Sequence, residues 1–183
     1  MDGLLFDTEN LFLSLTEETE RELGYRVPKD LHYEAIGRSF EDVRSVFSER
    51  MGEEFPFGEF FSRTKERVYE RVERYGMPVK EGVHELLAAL EQRGVTVVLA
   101  SSSPRWMIEK NLEAAGMSGE FSLSVGGDEV ERGKPHPDLF LAAARKQGTE
   151  PERCIVFEDS NNGVRAACAP GMRVVMVPDL RPP

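Results

Sequence analysis

Little in this sequence invites a disulfide framework, a membrane or a nucleic acid. Cysteine occurs twice, at Cys154 and Cys168, too sparsely for a stapled fold, so reduced thiols in a cytoplasmic protein are expected. No apolar run approaches the ~20 residues that cross a bilayer, and nothing at the start resembles a signal segment. Positive charge is in deficit: 23 Lys and Arg stand against 33 Asp and Glu, for a formal net charge of -10. That balance excludes a nucleic acid polymer or an anionic membrane as the main partner, since both demand a basic face. A small anionic metabolite stays open, because a few local cations and a metal suffice to bind one. Internal repeats and low-complexity tracts are also missing. The 183 residues are enough for one good core with a small second lobe, and a monomer is the expected state.

What is present falls into two textures. From Asn10 to about Tyr75, stretches such as LFLSLTEETERELGY and FGEFFSRTKERVYERVERYG place apolar side chains at steps of three and four among many charges. That period predicts amphipathic surface helices and no strand. From Met77 onward, short β-branched runs (VTVVLA, FSLSVGG, CIVFED, RVVMVP) alternate with helical stretches. Alternation of this kind predicts βαβ units and a mostly parallel sheet. The expected architecture is a doubly wound, Rossmann-like α/β core formed by residues 1–9 and 77–183, with an α-helical cap inserted over 10–76.

In such sheets chemistry collects where loops leave the carboxyl ends of the strands. After VTVVLA come Ser101, Ser102 and Ser103, then Pro104 and a helix; small hydroxyls and free N–H groups at a helix start can cradle phosphate oxygens, or simply cap the helix. After the next run, Lys134 stands between Gly133 and Pro135, where a turn pins it as a fixed cation or leaves it as an ordinary surface lysine. His136 reads as an exposed turn residue. After CIVF come Glu158 and Asp159. Two adjacent acids at a buried strand's end are costly without a cation or donors, which points to a divalent metal or to a helix-capping role. In order, these residues describe a site for an anion, a fixed cation and Mg²⁺, and phosphoryl chemistry fits all three.

Taken together, MDGLLFDTE, VVLASSS, GKPHPD and VFEDSNNGVRAA resemble the motifs of the haloacid dehalogenase-like hydrolases, in the branch of phosphatases and phosphoglucomutase-like enzymes with a helical cap. The resemblance implies a Mg²⁺-dependent phosphomonoester hydrolase acting on a small phosphorylated metabolite, either a sugar phosphate or a nucleoside monophosphate. It implies that Asp2 protonates the leaving oxygen and then activates water, while Ser101 and Lys134 hold the phosphoryl group. Asp159 would ligate Mg²⁺ directly, Glu158 through water, and Asp2 through its backbone carbonyl. Ser102, Ser103, Glu9 and Arg38 become candidate substrate contacts, the last from the stretch IGRSFEDV.

The family's first motif reads Asp-x-Asp-Gly at the end of its first strand, and this sequence matches from the x onward. The nucleophilic aspartate, which would form an aspartyl-phosphate, is therefore expected one residue before Met1, at the end of a strand lying between those assigned to VTVVLA and CIVFED. Without it, those two runs would face a gap, and the chain reads as part of a longer protein; VPDLRPP likewise stops where relatives continue into another helix. Two alternatives accompany the hydrolase: a non-catalytic protein that binds phosphate esters or a partner, and a phosphosugar mutase. The mutase ranks below hydrolysis because Phe12 stands where such enzymes carry a histidine. Trp106 and Phe121 read as packing residues.

Overall fold

Helical periodicity gives way to strand-forming runs near residue 76, and the computed structural model, which describes residues 1–35 and 40–180, divides there. One unit is Thr8–Tyr75; the other joins Met1–Asp7 to Gly76–Pro183. The chain therefore has a Rossmann-like α/β core interrupted by a helical insertion.

In the helical unit, α1 (Thr8–Leu23), α2 (Lys29–Ala35), α3 (Phe40–Met51) and α4 (Phe57–Tyr75) enclose an apolar cluster of Val27, Leu31, Val43, Phe47, Phe55, Phe57 and Phe60. Phe47 is its hub, with ring centroids 5.3–5.9 Å from Phe55, Phe57 and Phe60. Several polar side chains enter this interior with partners. The Thr19 hydroxyl donates to the Leu15 carbonyl at 3.0 Å and accepts from Thr64 at 3.1 Å, closing the α1–α4 seam. Glu20 meets His32 Nε2 at 2.7 Å and accepts from the Val27 N–H at 3.2 Å. Thr19, Thr64, Glu20 and His32 thus keep partners, as burial requires, whereas the buried Thr8 hydroxyl at the start of α1 has no hydrogen-bond partner among the described residues.

The α/β unit runs α5 (Val83–Glu91), β1 (Val98–Ala100), α6 (Arg105–Ala114), β2 (Leu123–Val125), α7 (Asp138–Gln147), β3 (Ile155–Glu158), α8 (Asn161–Cys168) and β4 (Arg173–Met176). Both ladders are parallel, as alternation with helices dictates. They are nevertheless separate: β1 pairs with β2 and β3 with β4, and no strand among the described residues joins the pairs. The strands are shorter than the apolar runs that encode them. VTVVLA contributes only Val98–Ala100 to β1, the residues that pair with Leu123–Val125 of β2.

One helix ties the halves together. On α7, Leu139 and Ala143 pack with Val125 against the first ladder, while Phe140 and Ala144, one position on, pack with Ala166, Ala167 and Met172 beside the second. Spacing of four residues gives each pair its own stripe on the helix. Met1–Asp7 forms a tight turn in which the N–H groups of Leu5 and Phe6 converge on the Met1 carbonyl, at 2.8 and 3.2 Å. No helix among the described residues is long and apolar enough to cross a membrane.

Candidate functional site

The loops after β1 and β3 meet at the Met1–Asp7 turn. Ser101 follows β1 directly and is buried, 4% exposed; its N–H donates to the Val125 carbonyl at 3.0 Å, and its Oγ accepts from the Ser103 N–H at 3.2 Å. Ser103 Oγ in turn donates to Asp2 Oδ2 at 3.4 Å. Ser102 faces solvent. The first free N–H of α6, on Arg105, is already taken by Asp128 Oδ1 at 2.9 Å, so the anion-holding capacity of this loop rests on the serines more than on that helix start.

Lys134 and Glu158 form the fixed charge pair of the site. Lys134 Nζ bonds Glu158 Oε1 and lies 5.1 Å from the centroid of the Phe140 ring, which offers it a cation–π face. The other oxygen, Glu158 Oε2, accepts from the N–H groups of Asp159 and Ser160 at 3.1 Å each and from Ser160 Oγ at 3.0 Å. Ser160 is also the N-cap of α8, accepting from the Gly163 N–H at 3.0 Å. Burial alone would push the Glu158 carboxyl up; the Lys134 ammonium and the Ser160 donors outweigh it and hold the group below its ordinary value.

Asp159 is treated differently by the fold. Burial, and then the neighbouring Glu158 charge, push its carboxyl up, against the opposing pull of the Met1 amino group and Lys134. Its Oδ2 crowds the turn at Gly3: a Cβ there would lie 2.6 Å from Asp159 Oδ2 and 3.0 Å from Asp179 Oδ2, and Gly3 has φ +71°, so glycine is required twice over. Asp179 is itself bonded to Lys80. Asp159 and Asp179 therefore both press on this turn, although among the described residues no group of three His, Cys, Asp or Glu side chains is placed to hold a metal ion by itself. Glu158, with both oxygens committed, could reach a metal only through water.

An expected result follows from the two unlike carboxylates. With chelator present, Asp159→Asn should raise the melting temperature slightly at pH 7. Asp159 binds its proton more tightly folded than unfolded, so it favours folding below its unfolded pKa, and that benefit is lost as pH rises through the raised folded value. The advantage of the asparagine variant should therefore shrink on acidification. A melting series from pH 4 to 8 checks this, and a variant less stable at pH 7 would contradict it.

Ser101, Ser103, Asp2, Lys134, Glu158 and Asp159 are thus all within the α/β unit, tied by the contacts above. Glu9 lies on α1 in the helical unit, half-buried, and Arg38 falls outside the described residues. Sequence reasoning missed Asp179, Lys80 and Phe140. Asp179 follows the β4 run RVVMVP, so the strand-end rule that found the other acids would have found it too.

Comparison with known proteins identifies the family and the fold. A family profile described as haloacid dehalogenase-like hydrolase matches residues 1–177. Hexitol phosphatase B of Escherichia coli strain K12 is 32% identical over 97% of this chain and 81% of its own length. The phosphorylated carbohydrates phosphatase of Thermotoga maritima is 30% identical over 94% of this chain and 79% of its own. Among solved structures, a haloacid dehalogenase family hydrolase of Deinococcus radiodurans with bound phosphate and sodium superposes with a TM-score of 0.77 at 28% identity, over 95% of this chain and 76% of that one.

Proposed function

The chain belongs to the haloacid dehalogenase-like hydrolases, as a phosphatase, and from that membership we propose that it hydrolyses the phosphomonoester of a small phosphorylated carbohydrate with the help of Mg²⁺. The observation that carries this reading is Lys134, fixed by Glu158 at the end of β3, in the same loop cluster as Ser101, Asp2 and Asp159. A phosphoryl group needs its equatorial oxygens neutralised and its leaving oxygen protonated, and this set supplies both.

Lys134 and the Ser101 hydroxyl hold the phosphoryl oxygens. In a chain extended by the aspartate that the family resemblance implies before Met1, that residue would be the attacking carboxylate. Its oxygen bonds to phosphorus as the ester P–O bond breaks, and Asp2 gives its proton to the departing sugar oxygen. Asp2 then takes a proton from water as that water attacks the aspartyl-phosphate, releasing inorganic phosphate and restoring the carboxylate. The donor set is all oxygen, and Asp159 is a carboxylate pushed up by burial and by a like charge, which suits a hard divalent cation. Asp159 and the Asp2 carbonyl would hold Mg²⁺, which would neutralise charge on the phosphoryl oxygens. Ser102, Ser103, Glu9 and Arg38 are the proposed substrate contacts.

The test is phosphate release from hexitol, hexose, pentose and nucleoside monophosphates, with Mg²⁺ and with chelator. It is run on the 183-residue chain and on a version extended before Met1 by an apolar strand ending in aspartate. The extended chain is expected to turn over sugar phosphates at least ~10³-fold faster than the shorter one, a typical loss for removing a nucleophile. An extended chain that folds and binds phosphate yet releases none would replace the hydrolase by a phosphate-ester-binding protein.

A further inference from the structure

Ser101 and Lys134 stand on different loops, one after β1 and one after β2, so their separation has to be fixed by a contact between the loops. Just past the serines, α6 begins at Arg105, and its own N-cap, Pro104, makes no side-chain cap. The acceptor comes from 23 residues away: Asp128 Oδ1 takes the Arg105 N–H at 2.9 Å. Asp128 belongs to the loop that runs from β2 to α7, the loop that carries Lys134.

Two glycines bring these loops into backbone contact. A Cβ on Gly127 would lie 2.2 Å from the Ser102 carbonyl oxygen, and one on Gly126 would lie 2.7 Å from the Arg105 nitrogen, so only glycine lets the segments approach this closely. Across that contact the Gly127 N–H donates to the Ser103 carbonyl at 3.0 Å. Ser103 is the residue whose N–H donates to Ser101 Oγ and whose hydroxyl donates to Asp2. Glu129 holds the far side of the same turn, accepting from the Gly126 N–H at 2.8 Å and bonding Lys146 of α7. Further along, Arg132 donates twice to Asp138, at 3.0 and 2.8 Å, so the loop is anchored on both sides of Lys134.

We propose that Asp128 is a positioning residue for phosphoryl binding: by capping α6 from the β2–α7 loop, it locks the Ser101–Ser103 loop to the loop that carries Lys134. A cap supplied by the residue before a helix steadies that helix alone. One supplied by a distant loop couples two loops, and here each of the two carries one arm of the phosphoryl clamp. A clamp of this kind works only when its donors are in place before the charge develops, which is what a fixed contact between the arms provides. Asp128 is exposed, so it acts through this bond and not by filling the core. The inference rests on the reading of Ser101 and Lys134 as the groups that hold the phosphoryl oxygens.

The probe is inorganic phosphate with Mg²⁺, titrated by calorimetry into the 183-residue chain and into its Asp128→Asn, Asp128→Ala and Ser101→Ala variants. The two Asp128 variants have the same net charge and differ in one acceptor, since asparagine can still take the Arg105 N–H and alanine cannot. Asp128→Ala is expected to bind phosphate roughly fivefold or more weakly, the scale of a lost helix cap, with faster amide exchange at Arg105 and Gly127. Asp128→Asn should stay within about twofold of the native chain. A cap without a positioning role would lower the melting temperature of Asp128→Ala and leave its phosphate affinity, measured far below that temperature, unchanged. That result overturns the inference. So does equal weakness in both Asp128 variants, or tighter binding by Asp128→Ala, which would make Asp128 a rival of phosphate for the helix start. A native chain that binds no phosphate, or whose Ser101→Ala variant binds it as well, overturns the clamp reading itself and this inference with it.

Discussion

Replacing Lys134 with methionine is expected to lower the unfolding free energy by about 3–5 kcal/mol, the usual cost of leaving one member of a buried ion pair alone. In a domain of this size that is a fall of on the order of 10 °C in melting temperature. The Lys134 and Glu158 side chains are only 13% and 6% exposed, so water cannot take over the solvation of Glu158. Its other oxygen keeps the Ser160 and Asp159 donors, which sets the loss below full desolvation of a carboxylate. The double variant Lys134→Met, Glu158→Gln should recover much of the lost stability, because glutamine carries no charge to strand. A double variant no more stable than the single one would show that the lysine acts by packing on Phe140 instead.

The same substitution should invert the local pH dependence. In the native chain the Lys134 ammonium and the Ser160 donors hold the folded pKa of Glu158 below its unfolded value. Its contribution is therefore complete above that value and disappears as pH falls through the lower, folded one. Without Lys134, burial dominates and the folded value moves above the unfolded one, so the group opposes folding at neutral pH and ceases to do so in acid. Urea unfolding at pH 7 and pH 4 should accordingly show a large gap between native and variant at pH 7 and a smaller one at pH 4. In the chain extended before Met1 by a strand ending in aspartate, Lys134→Met should also reduce phosphate release by ~10²–10³-fold, since a phosphoryl clamp acts mostly on the transition state.

Helices and strands were legible because their two periods differ: steps of three and four before residue 76, β-branched runs after it. The strand-end rule then brought Ser101, Lys134, Glu158 and Asp159 to one place without any contact being known. It could not tell the two adjacent acids apart. By position alone Glu158 and Asp159 read as a metal pair or as helix caps, and only the family resemblance gave them different roles; in the structure Glu158 is spent on Lys134 and Ser160 while Asp159 lies against the Gly3 turn. Neighbours on a strand point to opposite faces, so division was to be expected, but which acid takes the lysine depends on a loop 24 residues away. The Phe140 ring under Lys134 was invisible for a related reason: on its own helix it is one more apolar residue. The Asp179–Lys80 pair spans 99 residues, a separation that no local pattern encodes.

Gly163 gives the sharpest case of a residue whose role is set by another chain segment, and its replacement by alanine should cost about 2–4 kcal/mol. Taken locally the change ought to help, because Gly163 is in the first turn of α8, and alanine gains up to ~1 kcal/mol in a helix. A Cβ at that position, however, would stand 2.0 Å from Glu158 Cδ and 2.1 Å from Oε2. The atoms it meets are the end of a side chain, which often moves at little cost. Here that end is held by Lys134 on one oxygen and by three donors on the other, so the carboxylate can retreat only by giving up bonds, and α8 can retreat only by giving up its Ser160 cap. The sign should therefore reverse with the neighbour. In a Glu158→Ala background the space is open, and Gly163→Ala should stabilise by up to ~1 kcal/mol. Chemical denaturation of the four chains of this cycle, comparing midpoints at constant slope, reads the coupling directly. If Gly163→Ala were equally costly in both backgrounds, the loss would come from the backbone of α8 and not from Glu158.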